Sequence, residues 1–171
     1  LSYYPKFLIK DNKLDVAIVV GDKAPSSHVI AQTQVVLSLS DYIFRRTGVP
    51  AKGLAMLSSE IDDIDNFNII SIGNACDNEV SSKILRNPEP CNNLKSGEAT
   101  IEIYKSRSNK AHVVLNAYSD EGIKKAAEVI SRYTSYDLNG NKFVLEVEEK
   151  EESKDQIIEE GFEEEDEKGK E

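Results

Sequence analysis

The chain has 171 residues, enough for one domain with a genuine core, and a formal net charge of −10 that is unevenly placed. Residues 148–171 hold thirteen acidic residues and four lysines, so the rest is close to neutral and offers nucleic acid no basic patch to grip. No apolar run reaches the length of a membrane span; the start at Leu1, without a basic-then-apolar leader, suits an excised piece of a longer precursor.

Ser2 to Lys13 reads as an irregular lead-in carrying Tyr3, Tyr4, Pro5 and Phe7. Leu14 to Val20 is nearly all apolar, as a central strand buried on both faces requires, and it ends on Gly21. A helix follows from about Pro25–Ser27, with Pro25 or Ser26 shaping its first turn, and Gly48 and Pro50 stop it. Its apolar residues recur at 29, 36, 43 and at 30, 37, 44, with Val35 and Leu39 on another side. That spread predicts a helix covered on more than one face.

Ala51 to Ser58 offers a second strand and Glu60 to Asp65 an acidic connection. Asn68 to Ile72 is a third strand that again ends on glycine, Gly73. A short helix from about Asp77 to Arg86 follows and stops before Pro88, because proline pushes the preceding residue out of the α region. After a loop from Pro88 to Gly97, Ala99 to Tyr104 and Ala111 to Ala117 form a hairpin joined by Lys105–Lys110. Ser119 is an N-cap for a helix with Asp120 and Glu121 in its first turn. Ile123, Ala126, Ala127 and Ile130 form its inward stripe. Asn139-Gly140 is a turn signal, and Lys142 to Val147 alternates as a closing strand. These elements specify a three-layer α/β domain over 1–147. Its open sheet is mostly parallel with an antiparallel hairpin, and 148–171 is an acidic extension, disordered or a solvated helix.

Strand–glycine–helix units direct their turns to the carboxyl edge of an open sheet, where such folds carry their chemistry. Gly21 and Asp22 at the first turn and Gly73 and Asn74 at the second are therefore the candidate ligand edge. Neither turn has the Gly-x-Gly-x-x-Gly run or the Gly-Lys-Ser/Thr ending of a phosphate loop, and Asp22 would repel an anion. Asp62, Asp63 and Asp65 resemble part of an oxygen-rich cation loop without the glycine and distal glutamate of an EF-hand. Nucleophilic catalysis would have to use His28 or His112 beside Ser26, Ser27 or Cys76, and no spacing supports it. Cys76 in a strand-exit turn and Cys91 in the returning loop are candidates for a bridge or for two free thiols. A bridge would place the chain outside the reducing cytosol.

The segment LDVAIVVGDKAPSSHVIAQTQVVLSLS (Leu14 to Ser40) resembles the opening of the archaeal S-layer protein module, a "VDIVVG" strand, a small-residue turn and a helix rich in Val, Ile and Ala. The preceding YYPKFLIKDNK resembles the "YP-x-x-F" lead-in of that family. FNIISIGNACDNEVSSKIL is similar to its "ILVGGP-x-x-N" segment, with Gly73-Asn74-Ala75-Cys76 in place of Gly-Gly-Pro. Pro90-Cys91, the strand from Gly97 to Ile103, and Leu115-Asn116-Ala117-Tyr118-Ser119 before the Ala126-Ala127 helix occupy the places of its Pro–Cys loop, Gly-containing strand and "VAGYS" stretch. The resemblance spans about residues 3–147.

Family members carry a large insertion between the two halves, so the resemblance implies a compact form or one domain of a larger surface protein. It implies a structural, non-enzymatic role at the archaeal cell surface through self-association or contacts with other surface proteins, without direct membrane insertion by this segment. It names no cofactor, although divalent cations such as calcium often serve S-layers, which points to Asp62–Asp65 or the acidic tail. The rival readings are a module binding a small anion or sugar at the Gly21/Gly73 edge, and a small hydrolase built on His28 or His112.

Overall fold

The computed structural model describes residues 1–148; the expectations made for the rest of the acidic extension lie outside the described residues. The opening residues form a 3-10 turn (Lys6–Leu8) and a short antiparallel ribbon of β1 (Ile9–Lys10) and β2 (Lys13–Leu14). The long strand expected from Leu14 is thus cut. Asp11 and Asn12 adopt φ of 50° and 59°, the left-handed pair that closes a two-residue hairpin and diverts the chain before it enters the main sheet. The central strand proper is β3 (Ala17–Val20), buried at every position.

From β3 the chain enters α1 (Ser26–Thr47) and returns as β4 (Ala55–Leu57), parallel to β3. Gly48, left-handed at φ 71°, ends α1 as expected. β4 is shorter than the stretch from Ala51 to Ser58, and among the described residues no strand pairs with its outer edge. β5 (Ile69–Ile72) lies on the other side of β3, followed by α2 (Glu79–Ile84). Arg86 and Asn87 stop α2 in the left-handed region, at φ 66° and 51°. The Asn87 amide reaches back to the Ser82 carbonyl at 2.7 Å, so local turn geometry rather than the extended pre-proline conformation ends the helix. The hairpin β6 (Glu98–Lys105) and β7 (Ala111–Ala117), the helix α3 (Asp120–Ser131) and the strand β8 (Lys142–Glu146) complete the domain.

The six-stranded sheet runs β4-β3-β5-β7-β6-β8, parallel through the first four strands and antiparallel across the last two pairings. Its alternating side chains feed two layers. Ile18, Val20, Ile70, Ile72, Val113 and Leu115 face α1 and α3, meeting Val35, Leu39, Ile123 and Ile130. Ala17, Val19, Ile69 and Val114 face α2, meeting Val80 and Ile84. This is the three-layer arrangement expected, with the inward stripe of α3 where its periodicity put it.

The expected coverage of α1 on more than one face holds in part: the helix packs on the sheet and along α3, and a third face is bare. Val35, Leu39 and Ile43 are buried, but Ile30, Leu37 and Phe44 are 61%, 64% and 52% exposed. Of the two 7-residue recurrences, the one through Val36 and Ile43 turns toward the core, and the one through Ile30, Leu37 and Phe44 points away from the sheet.

Candidate functional site

In an open sheet the carboxyl-end crevice opens where successive connections leave on opposite sides, here between β3 and β5. Gly21 and Gly73 sit at that point, as the sequence places them. The gap between them is filled by the chain itself. Asn78 is fully buried, and its Nδ2 donates to the Val19 carbonyl at 3.1 Å and the Ile72 carbonyl at 3.0 Å, tying the ends of both strands. Its Oδ1 accepts from the amides of Val80 at 2.9 Å and Ser81 at 3.3 Å, capping α2. One side chain thus satisfies two strand ends and a helix start.

The glycines are explained by the same packing. A Cβ on Gly21 would lie 1.8 Å from the Asp77 carbonyl oxygen, so only glycine lets that turn approach β3. Gly73 has φ 109°, and a Cβ there would meet the His28 imidazole at 3.0 Å. Below it, Ser81 Oγ donates to the Gly73 carbonyl at 2.7 Å. Ser81 has spent its one proton there, so Ser71 donates to Ser81 Oγ across another 2.7 Å.

Asp22 and Asn74 are spent on local structure. Ser58 Oγ and Ser59 Oγ donate to the Asp22 carboxylate, and the Ser59 amide adds a bond at 3.1 Å, anchoring the exit of β3 to the turn after β4. The Ser58 hydroxyl, then that of Ser59, holds the Asp22 carboxyl below its ordinary pKa. Asn74 Oδ1 accepts from the amides of Cys76 at 2.8 Å and Asp77 at 3.2 Å, an Asx turn. Cys76 is bridged to Cys91, resolving the open alternative in favour of a disulfide that closes the loop around α2.

The histidines lie apart. His28 is buried on the α1–α3 side of the rim, its Nε2 3.5 Å from Asp120 Oδ1, while Asp120 Oδ2 accepts the Ser27 hydroxyl at 2.7 Å. The carboxylate therefore stands between serine and imidazole, whereas activating a serine requires the imidazole in the middle. His112, in β7, puts Nε2 3.0 Å from the Ile64 carbonyl near the opposite end of the sheet. Burial is the main reason its pKa lies below the ordinary value of 6.5, against a smaller opposing effect of the Ile64 bond.

Below about pH 6.5 the unfolded chain takes up a proton that folded His112 resists, so stability falls as pH drops through that value and levels off below the folded pKa. Urea unfolding between about pH 8 and about pH 5 is expected to show this loss. His112→Gln, which can still donate to Ile64, should lose that part of the slope. An unchanged slope would assign the dependence to other groups.

The three acidic residues of the cation-loop reading do not converge. Asp63 caps its own turn by accepting from the Asp65 amide at 2.9 Å, and Asp65 accepts from the Arg107 amide at 3.2 Å. Among the described residues no three His, Cys, Asp or Glu side chains gather as a metal-ligand set. Nor, among them, is any helix long and apolar enough to cross a membrane. The residues that sequence reasoning missed are Asn78, Ser81 and Asp120. Asn before Glu79 carried an N-cap signal, but nothing local announced its bonds to two strands.

No protein-family model matches this chain, and no curated protein matches it at a significant level.

Proposed function

We propose that this chain is a structural module of an archaeal S-layer-type surface protein and works by protein–protein contact. The observation that carries the reading is the occupied switch point. Asn78 and the Asp77 carbonyl fill the crevice in which an open α/β sheet would hold a ligand. A nucleotide or sugar entering there would first displace a buried amide that bonds both strand ends. Asp22 and Asn74, which could otherwise contact a ligand, are engaged by neighbouring backbone and hydroxyl groups. The Cys76–Cys91 bridge agrees with a compartment outside the reducing cytosol, and the ordered set of sequence motifs supplies the family.

The test has two arms. The oxidised full-length chain is titrated with inorganic phosphate, ATP and a neutral hexose while the amide resonances of Gly73, Asn74 and Asn78 are followed. Immunogold labelling of intact cells carrying the gene gives the location. No saturable shift and a label on the outer surface are expected. Saturable binding at those amides would favour the ligand module, and a label confined to the interior would end the surface reading.

A further inference from the structure

We propose that the outer face of α1 is a self-association surface, on which a second copy of this chain packs through an antiparallel α1–α1 contact centred on Leu37. This deepens the contact reading above and rests on it. A 22-residue helix is about 33 Å long, and residues seven apart fall on nearly one line along it. Ile30, Leu37 and Phe44 form that line on the exposed side, with Val29, 46% exposed, beside it.

The polar residues around the line are equally telling. Residues 26–40 contain no Asp, Glu, Lys or Arg in a chain that is 30% charged. The other long helix behaves oppositely. The outer face of α3 carries Glu121, Lys124, Lys125 and Glu128 in ion pairs with one another. Solvated helix faces are normally charged in this way, and an uncharged face with an apolar line is the pattern of a buried contact.

Two features select a second copy as the occupant. From Ile30 to Leu37 the stripe is uncharged and beyond it Asp41 is neutralised by Arg45, so it can meet itself without strong like-charge repulsion, and equal spacing about Leu37 lets a two-fold axis pair Ile30 of one copy with Phe44 of the other. The ends of the helix are also complementary. Asp120, 56% exposed, is bonded to Ser27 near the start of α1, and Arg45, 77% exposed and paired with Asp41 of its own helix at 2.7 Å, stands near its end. Positions 27 and 45 are five helical turns apart and therefore on the same flank. The two-fold that joins the stripes brings Asp120 of each copy toward Arg45 of the other, at both ends of the contact, and sets the helix dipoles antiparallel. A single helix pair lies at the small end of specific interfaces, so a micromolar rather than nanomolar dimer is expected.

Sedimentation velocity of the oxidised full-length chain, from about 1 µM to about 1 mM, tests this. The wild type is expected to pass from monomer to dimer. Leu37→Glu should raise the midpoint at least about tenfold with an unchanged circular dichroism spectrum, and Arg45→Glu should raise it by a smaller factor. Val144→Lys, on the exposed edge of β8, should leave it unchanged. A wild type that stays monomeric throughout overturns the proposal, as does a dimer that Leu37→Glu leaves intact or that only Val144→Lys dissolves. A monomer in which Leu37→Glu shifts the Ile157 and Ile158 methyl resonances would give the stripe to the chain's own tail instead. These failures would leave contacts with other surface proteins standing, whereas ligand binding at the rim would remove the contact reading itself.

Discussion

Replacing Cys76 and Cys91 together by serine is expected to lower the free energy of unfolding by about 3 kcal/mol, and the melting temperature by about 10 °C. The bridge spans 15 residues and encloses the whole of α2, a helix of six residues. A helix that short has no stability of its own in water, so its order comes entirely from what holds it. The bridge acts on the unfolded chain by closing a loop that would otherwise be open, and this makes the loss depend on loop length. Urea unfolding of the oxidised wild type and the double-serine variant measures it. The variant should also unfold with a steeper denaturant dependence, because its denatured state exposes more surface. Reduction of the wild type should reproduce both changes. A loss under about 1 kcal/mol would show that the unbridged denatured chain already keeps this loop together, or that the native segment loosens once the bridge is gone.

The parts of this molecule legible in its sequence are those whose physics is local and repetitive. The inward stripe of α3 repeats with the helical period, and Ser119 caps it as its position implied, accepting the Gly122 amide at 3.4 Å. The hairpin of β6 and β7 also followed from alternation and an intervening polar turn. The first strand was over-extended because Leu14, apolar and contiguous with the run to Val20, carries no sign that it pairs with Ile9 instead. That sign lay in Asp11-Asn12, whose tolerance of left-handed backbone closes the ribbon.

For α1, the periodicity located the apolar positions correctly but could not say which had a partner. Val35 and Leu39 meet the sheet layer, and Leu37 meets solvent, although all three are aliphatic. At the rim the glycines were found, and their reason was hidden. Gly21 is demanded by a carbonyl 56 residues further along, and no local pattern encodes a contact of that separation. Asp22 read as a residue that would repel phosphate. Its actual partners, Ser58 and Ser59, come from across the sheet edge.

The same long-range bonding makes Asn78 a sensitive position, and its two roles can be separated. Asp is as good an N-cap as Asn, so if Asn78 served only α2, Asn78→Asp would be nearly neutral. In this structure Nδ2 donates to Val19 and Ile72, and aspartate would aim a buried carboxylate oxygen at those two carbonyls. Asn78→Asp is therefore expected to cost about 4 kcal/mol or more at neutral pH. Asn78→Ala, which removes the cap and both donors but adds no charge, should cost about 3 kcal/mol. The aspartate variant should regain stability as pH falls and its carboxyl takes up a proton, because a protonated acid can again donate to one carbonyl. The alanine variant gains no such term, so the difference between the two should narrow steadily toward acid. Denaturant unfolding of the three proteins across pH reads the ordering directly. An aspartate variant as stable as wild type at neutral pH would mean that the crevice between β3 and β5 admits water, and that the closure of the rim argued above is not real.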